Sequence, residues 1–339
     1  MDLNIIWFFL VGVLLTGYAI LDGFDLGVGA LHLFAKNDIE RRTFLNAIGP
    51  VWDGNEVWLV TGGGALFAAF PYVYSAAFSG FYLALMLLLA ALIFRAVAIE
   101  FRSKEPWGWW RQLWDVMFSL GSILSTILFG VAVGNVVTGV PIGADKLFQE
   151  SSLLSLIKPY PVLVGLFVLS LFFLHGAIYL HLKTEGELQQ RIRLWVLKTF
   201  GIFLVMYLIT TIATLVTQPH LIKNFETMPW AWAVVALTVL AIANVPRSLH
   251  HGREFQSLFT SAAIIAGTFF LFGIGMFPKL LPSNLNPAWD LTIYNASSSH
   301  DTLMIMLIIA LIGMPFVITY TASIYWVFRG KVKFDHSSY

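Results

Sequence analysis

The chain has 339 residues, of which 58% are hydrophobic and only 12% are charged; its net charge is +1 and it contains no cysteine. Soluble domains carry about 25% charged residues, so this composition indicates an integral membrane protein. The small net charge argues against nucleic acid as a partner, and the lack of cysteine excludes disulfides, thiolate metal sites and haem attachment through C-x-x-C-H.

Long apolar segments follow one another along the whole chain. A spanning helix needs about 20 mostly apolar residues. The first segment has no basic residue ahead of its apolar core, so we expect a retained helix rather than a cleaved signal peptide. The nine predicted spans lie near residues 5–34, 45–70, 76–100, 115–138, 160–182, 199–217, 229–246, 257–278 and 302–328. The prediction is an all-α polytopic membrane protein with about nine transmembrane helices, forming a single integral-membrane domain over residues 1–339.

Basic residues are concentrated on alternate connections between these spans. Cytoplasmic loops of membrane proteins are enriched in Lys and Arg. Most of the 20 basic residues fall in one set of connections and the C-terminal tail, whereas the other set holds only Lys146, Lys158, Lys223 and Lys279. This asymmetry predicts an N-terminus outside and a C-terminus in the cytoplasm.

A few charged side chains lie within the predicted spans: Asp22, Asp25, Asp53, Glu56, Arg95 and Asp115. Each costs about 2.5 to 3.5 kcal/mol at a helix centre, so each needs a partner or a function. Asp22 and Asp25 are one helical turn apart, as are Asp53 and Glu56, so each pair is expected to share a face. We expect Asp25 and Asp53 to be buried carboxylates of a proton relay. For Arg95 and for Asp115, a purely structural role in an ion pair is as well supported as a functional role.

The eight histidines give little support for a haem bound by this chain. A bis-histidine haem needs two imidazoles at similar depth on facing helices. Only His175 lies near the centre of a predicted span, whereas His32 lies toward the inner end of the first. No haem ligated by these side chains is therefore expected. Two classes of function remain open: an ion-coupled transporter or channel, and a membrane subunit of a respiratory complex that feeds protons to chemistry elsewhere.

Specific stretches of the chain resemble subunit II of the cytochrome bd family of quinol oxidases. The similarity runs essentially from end to end and is densest in the N-terminal third. It is carried by LDGFDLGVGAL (21–31), ERRTFLNAIGPVWDGNEVWLVTGGGALFAAFP (40–71), FRAVAIEFRSK (94–104), WDVMFSLGS (114–122) and YNASSS (294–299). The ordered series is far more specific than any one of these motifs.

The resemblance implies a fold of two four-helix bundles with one peripheral helix, in a bacterial or archaeal plasma membrane. It implies a haem-free chain paired with subunit I, which would hold two haems b and one haem d, oxidise quinol and reduce O2 to water. Protons would come from the cytoplasm, and this chain would support assembly and haem insertion without catalytic residues of its own. A bound quinone, a small single-helix accessory subunit and membrane lipids are further partners of this kind of complex.

The resemblance also suggests roles for individual residues. Asp53, in the W-D-G-N motif, matches a position on a proton route at the subunit interface. Asp25, Arg95 and Asp115 match positions needed for assembly or for holding haem, and we place Asp25 on the proton route as well. Glu56 stands where some members have an uncharged Gln, so its part in the proton route stays open.

Overall fold

Twelve α-helices make up most of the chain in this computed structural model, which describes residues 2–149 and 152–333. A two-stranded antiparallel sheet, β1 (Lys279–Leu281) with β2 (Leu291–Thr292), lies between the last two helices. In chain order the helices are α1 (Leu3–Leu31), α2 (Asp38–Ile48), α3 (Trp52–Ala69), α4 (Pro71–Gly80), α5 (Tyr82–Phe101), α6 (Gly108–Thr138), α7 (Pro159–Lys183), α8 (Gly186–Thr217), α9 (Lys223–Thr227), α10 (Ala231–His250), α11 (Glu254–Met276) and α12 (His300–Val327). The predicted all-α class is confirmed.

Eight helices of the described residues are long and apolar enough to cross a membrane: α1 with its extension to Phe34, α5, α6, α7, α8, α10, α11 and α12. The predicted second span is the exception. The chain there divides into α2 and α3, and α3 carries Asp53, Asn55 and Glu56 within its first five residues. These polar side chains lower its hydropathy, so the count by length and composition is eight rather than nine. The seventh predicted span is longer than expected, because α10 continues through Pro246 to His250.

The spans pack as two groups. In the first, α1 packs on α3 and α6, and α6 packs on α5; in the second, α7 packs on α8 and α11, and α11 packs on α10. The groups join where α1 and α6 lie against α7. Helix α12 runs along α1 and α3, and Leu303 is its only fully buried residue among those described. This architecture agrees with two four-helix bundles and a peripheral helix.

Two glycines allow the backbones of α1 and α7 to touch. A Cβ atom added to Gly27 would collide with the carbonyl oxygen of Phe172, and one added to Gly176 would collide with the carbonyl carbon of Gly27. Small residues are how membrane helices achieve such close approach. The crossing places Asp25, two residues before Gly27, at the junction of the two helix groups.

We expect Gly27→Ala to destabilise the protein by about 1 to 3 kcal/mol, because overpacking forces the backbones apart. The yield of folded protein extracted from membranes and its thermal unfolding midpoint should both fall. Gly64→Ala is the matched control, since nothing lies within 4 Å of a Cβ added to this glycine of α3. Equal stability of the two variants would contradict the close crossing.

The connections between helices gather at two opposite ends. At one end Val140 pairs with Ser283, and the Asn224 side chain donates to the carbonyl of Ile274 at 2.7 Å. At the other end the connections rich in basic residues meet: Arg191 pairs with Glu40, and Lys331 Nζ lies 2.6 Å from Glu254. The basic connections predicted to share one side of the membrane therefore lie together.

Candidate functional site

Arg95 of α5 forms the centre of a first ionic cluster. Its Nη2 lies 2.7 Å from Oδ1 of Asp22 on α1, and its Nη1 lies 2.5 Å from Oε1 of Glu56 on α3. The Arg95 and Asp22 side chains are fully buried, whereas that of Glu56 is 27% exposed. One guanidinium thus pairs with carboxylates from two helices and links α1, α3 and α5.

Asp25 does not share that guanidinium, although it lies only one turn from Asp22. It is fully buried, and its Oδ2 accepts a hydrogen bond from Nδ2 of Asn55 at 2.7 Å. The other carboxylate oxygen has no hydrogen-bond partner among the described residues. Asn55 also accepts a hydrogen bond from the Tyr325 hydroxyl at 2.9 Å. Sequence reasoning missed Asn55 and Tyr325, since neither carries a charge.

Asp53 lies exposed in the first turn of α3. It makes no hydrogen bond or ion pair with the described residues, so the expectation of a carboxylate buried within this chain is wrong for Asp53. The side chain lies on the surface of α3, away from the packed α1 face that holds Asn55. The N-terminus of a helix favours a negative charge, so the first turn of α3 suits this carboxylate.

Asp115 of α6 forms the centre of a second cluster, at the end where the basic connections meet. Its carboxylate lies 2.5 Å from Nε2 of His32, 2.7 Å from Nη1 of Arg41 and 2.5 Å from Nε of Arg102. Arg102 also pairs with Asp38 at 2.8 Å. The cluster ties together α1, α2, α5 and α6. Sequence reasoning counted Arg41 and Arg102 only as loop charges and so missed them as partners of Asp115.

His175 is fully buried in α7, and both of its ring nitrogens are engaged. Nδ1 lies 2.7 Å from Oγ of Ser261, and Nε2 lies 2.9 Å from the carbonyl oxygen of Ile20. Within residues 2–149 and 152–333, no group of three or more His, Asp or Glu side chains is placed to hold a metal ion. His175 therefore acts as a hydrogen-bonded tie between α1, α7 and α11.

The first cluster and Asp25 together form a polar region in an otherwise apolar bundle. Of its carboxylates, Glu56 is partly exposed, whereas Asp22 and Asp25 are fully buried; Asp53 lies on the surface one turn before Glu56. Carboxylates at graded depth are suited to passing protons inward. Asp115 is instead paired with two arginines and hydrogen-bonded to His32, as expected for a structural junction.

Comparison with known proteins identifies the family. A family model described as cytochrome bd terminal oxidase subunit II matches residues 3–328. Subunit 2 of the cytochrome bd-I ubiquinol oxidase of Escherichia coli K12 is 38% identical over 97% of this chain and 95% of that protein. Subunit 2 of the cytochrome bd ubiquinol oxidase of Bacillus subtilis 168 is also 38% identical, over 98% and 97% of the two chains.

A solved structure shares the fold. The bd oxidase of Geobacillus thermodenitrificans contains a chain that superimposes with a TM-score of 0.80, at 18% identity, over 97% of this chain and 98% of that one. The two relatives match almost the whole length of the chain, and the family model includes every residue of both ionic clusters. The chain belongs to the cytochrome bd terminal oxidase subunit II family.

Proposed function

We propose that this chain supports assembly of a cytochrome bd quinol oxidase and conducts protons from the cytoplasm toward its oxygen-reducing site. Family membership makes the chain a subunit of a quinol:oxygen oxidoreductase, a haem-containing terminal oxidase. This favours a respiratory complex over an independent ion-coupled transporter. The single observation that carries the proton role is the exposed, unpartnered Asp53, one turn from the Glu56 that reaches buried Arg95.

The proton route that we propose begins at Asp53 and continues inward. Glu56 is the next carboxylate along α3, and its partial exposure connects the surface to the buried cluster. Asp25 lies deeper, on the facing helix α1, within hydrogen-bond distance of Asn55 from the same turn of α3. Since Asp53 has no partner within the described chain, we assign its neighbour to subunit I.

We assign the haems to the partner, as the family resemblance implies, because the two fully buried histidines of the described chain are already engaged in hydrogen bonds. His175 has both ring nitrogens hydrogen-bonded, and Nε2 of His32 is engaged by Asp115. We therefore place two haems b and one haem d in subunit I, with this chain as its partner in a heterodimer. The Arg95 and Asp115 clusters support assembly by holding the helices that face the partner in place.

The proposal extends to the orientation of the chain in the membrane and to the molecules that contact it there. The chain is a multi-pass membrane protein, and the gathering of basic connections at one end supports a cytoplasmic location for that end and for the C-terminus. Helix α12 presents an apolar surface with only Leu303 buried, which suits lipid or a single-helix accessory subunit. Bound quinone within this chain is a further proposal that rests on family resemblance alone.

Asp53→Asn is expected to slow quinol oxidation by at least about tenfold, because an amide cannot take up and release the proton that a relay residue passes on. The measurement is quinol-driven oxygen consumption per haem, by the purified complex of this chain with subunit I. The reduced-minus-oxidised haem spectrum should stay intact, since Asp53 makes no internal contact that holds the fold. Asp301→Asn is the matched control, because Asp301 is likewise exposed in the first turn of a helix. Parental turnover in Asp53→Asn would remove this residue from the route.

A further inference from the structure

Helix α12 makes two side-chain hydrogen bonds to other helices among its described residues: Trp7 of α1 donates to the carbonyl oxygen of Leu303, and the Tyr325 hydroxyl donates to α3. The Tyr325 hydroxyl lies 2.9 Å from Oδ1 of Asn55 on α3. Its ring stands edge-on to Phe24 of α1, with centroids 6.4 Å apart. Phe24 directly precedes Asp25 in the chain, so the Tyr325 hydrogen bond of this peripheral helix is at the site of the buried carboxylate.

Asn55 has both ends of its amide engaged, which determines its orientation. Nδ2 donates to the carbonyl oxygen of Leu21 at 3.1 Å and to Oδ2 of Asp25 at 2.7 Å, while Oδ1 accepts from Tyr325. A rotation that exchanged the two ends would place the amide oxygen against two acceptors. The Tyr325 hydroxyl therefore favours the orientation in which Asn55 donates to Asp25.

Asp25 depends on this one donor. It is fully buried, and Oδ1 has no hydrogen-bond partner among the described residues. Asn55 itself is 2% exposed, so water does not readily replace its amide. A change in the orientation of Asn55 would thus change the only hydrogen bond that the described chain gives to the carboxyl group.

The segment just beyond Tyr325 is anchored to the rest of the protein. Nζ of Lys183, at the end of α7, donates to the carbonyl oxygen of Phe328, and the Val332 amide donates to the carbonyl oxygen of Lys183 at 2.9 Å. These bonds hold the C-terminal end of α12 although little of the helix is buried. The position of the Tyr325 hydroxyl is therefore defined by contacts on both sides of it.

We propose that Tyr325 is a positioning residue for proton exchange at Asp25, acting through Asn55. The hydroxyl holds the Asn55 amide as a donor to the carboxyl group of Asp25. Proton exchange at Asp25 therefore depends on the position of α12. The inference rests on the proposed proton route and adds two residues to it. Other charged or titratable groups that act on Asp25 are Asp22, Glu56, Arg95, Tyr179 and Tyr325 itself.

Tyr325→Phe tests the inference, because it removes the hydroxyl and keeps the ring against Phe24. In the purified complex with subunit I, we expect quinol oxidase turnover per haem to fall about fivefold, the effect of one hydrogen bond. The pH profile of turnover should be displaced and the haem content unchanged. Tyr320→Phe, on the same helix and 65% exposed, is the matched control and should behave as the parent.

A double variant separates positioning from general packing. Asn55→Leu removes the donor to Asp25, so adding Tyr325→Phe to it should cause little further loss of turnover. Independent, multiplying losses would show that Tyr325 acts by another path and would overturn the inference. The inference would also fail if Tyr325→Phe lowered haem content while turnover per haem stayed parental, which is the result of a purely structural role.

Asp25→Asn distinguishes failure of this inference from failure of the proposed route. Slow turnover per haem in Asp25→Asn, with parental turnover and pH profile in Tyr325→Phe, would overturn the role of Tyr325 and leave the route standing. Parental turnover per haem in Asp25→Asn would remove Asp25 from the route and Tyr325 with it. Slow turnover in both variants, with the displaced pH profile, is the expected result.

Discussion

Arg95→Ala is expected to lower the amount of assembled, haem-loaded oxidase in the membrane by at least about tenfold, since breaking a buried ion pair costs about 3 to 5 kcal/mol. The substitution leaves Asp22 fully buried without its cation and removes the partner of Glu56. Whole proteins are stable by only about 5 to 15 kcal/mol, so a loss of this size affects folding and assembly directly. The measurement is the haem absorbance per milligram of membrane protein, with an immunoblot of this chain.

Two further variants accompany Arg95→Ala: a control at an exposed arginine and a triple variant without the charges of the cluster. Arg253→Ala is the control, because Arg253 is exposed in the connection before α11 and should be replaceable without loss. Arg95→Met combined with Asp22→Asn and Glu56→Gln removes all three charges together and should recover part of the assembled complex. Normal haem content in Arg95→Ala with lost turnover would instead assign Arg95 to the proton route.

Asp115→Asn is expected to reduce assembled complex by a similar factor, at least about tenfold, because it leaves a cluster of cations without its buried anion. Arg102, which is 2% exposed, and the partly exposed Arg41 would face a neutral amide whose nitrogen is itself a donor. The loss should appear as lower haem absorbance and as a lower unfolding temperature of the complex that remains.

The controls for Asp115 separate charge from position. Glu187→Gln removes an exposed carboxylate of α8 at the same end of the molecule and should leave haem content unchanged. Asp115→Glu keeps the negative charge but lengthens the side chain, so we expect intermediate haem content. A parental haem content in Asp115→Asn would mean that the four helices joined at this cluster do not depend on its charge balance.

Asp53 and Asp25 differ in exposure, and this difference relates to the separate roles of the two subunits. Asp53 is exposed when this chain is considered alone, while Asp25 is buried within it. An exposed carboxylate on a membrane helix is costly unless water or a partner surrounds it. The proposed route thus enters at the surface that subunit I would cover and continues inside this chain, so Asp53→Asn and Asp25→Asn should both slow turnover per haem.

The apolar runs and the placement of basic residues were sufficient to predict the all-α membrane fold and most helix locations. Both depend on local chemistry: about 20 apolar residues span the bilayer, and Lys and Arg concentrate in one set of connections. The ordered series of five stretches, from LDGFDLGVGAL to YNASSS, was enough to recognise the family. Helix α3 was harder to predict, because its acidic residues and glycines lower the hydropathy from which the spans were predicted.

Only the tertiary structure determined which charged groups meet. Spacing along α1 could not show that Asp22 pairs with Arg95 while Asp25 pairs with Asn55, since both acids lie on one face of the helix. Nor could it show that Tyr325 bonds to Asn55, 270 residues earlier in the chain. Such contacts follow from how helices rotate and cross, which here depends on close packing at Gly27 and Gly176. Local sequence patterns therefore determined where the helices lie along the chain, whereas packing between distant helices decided which residues form the site.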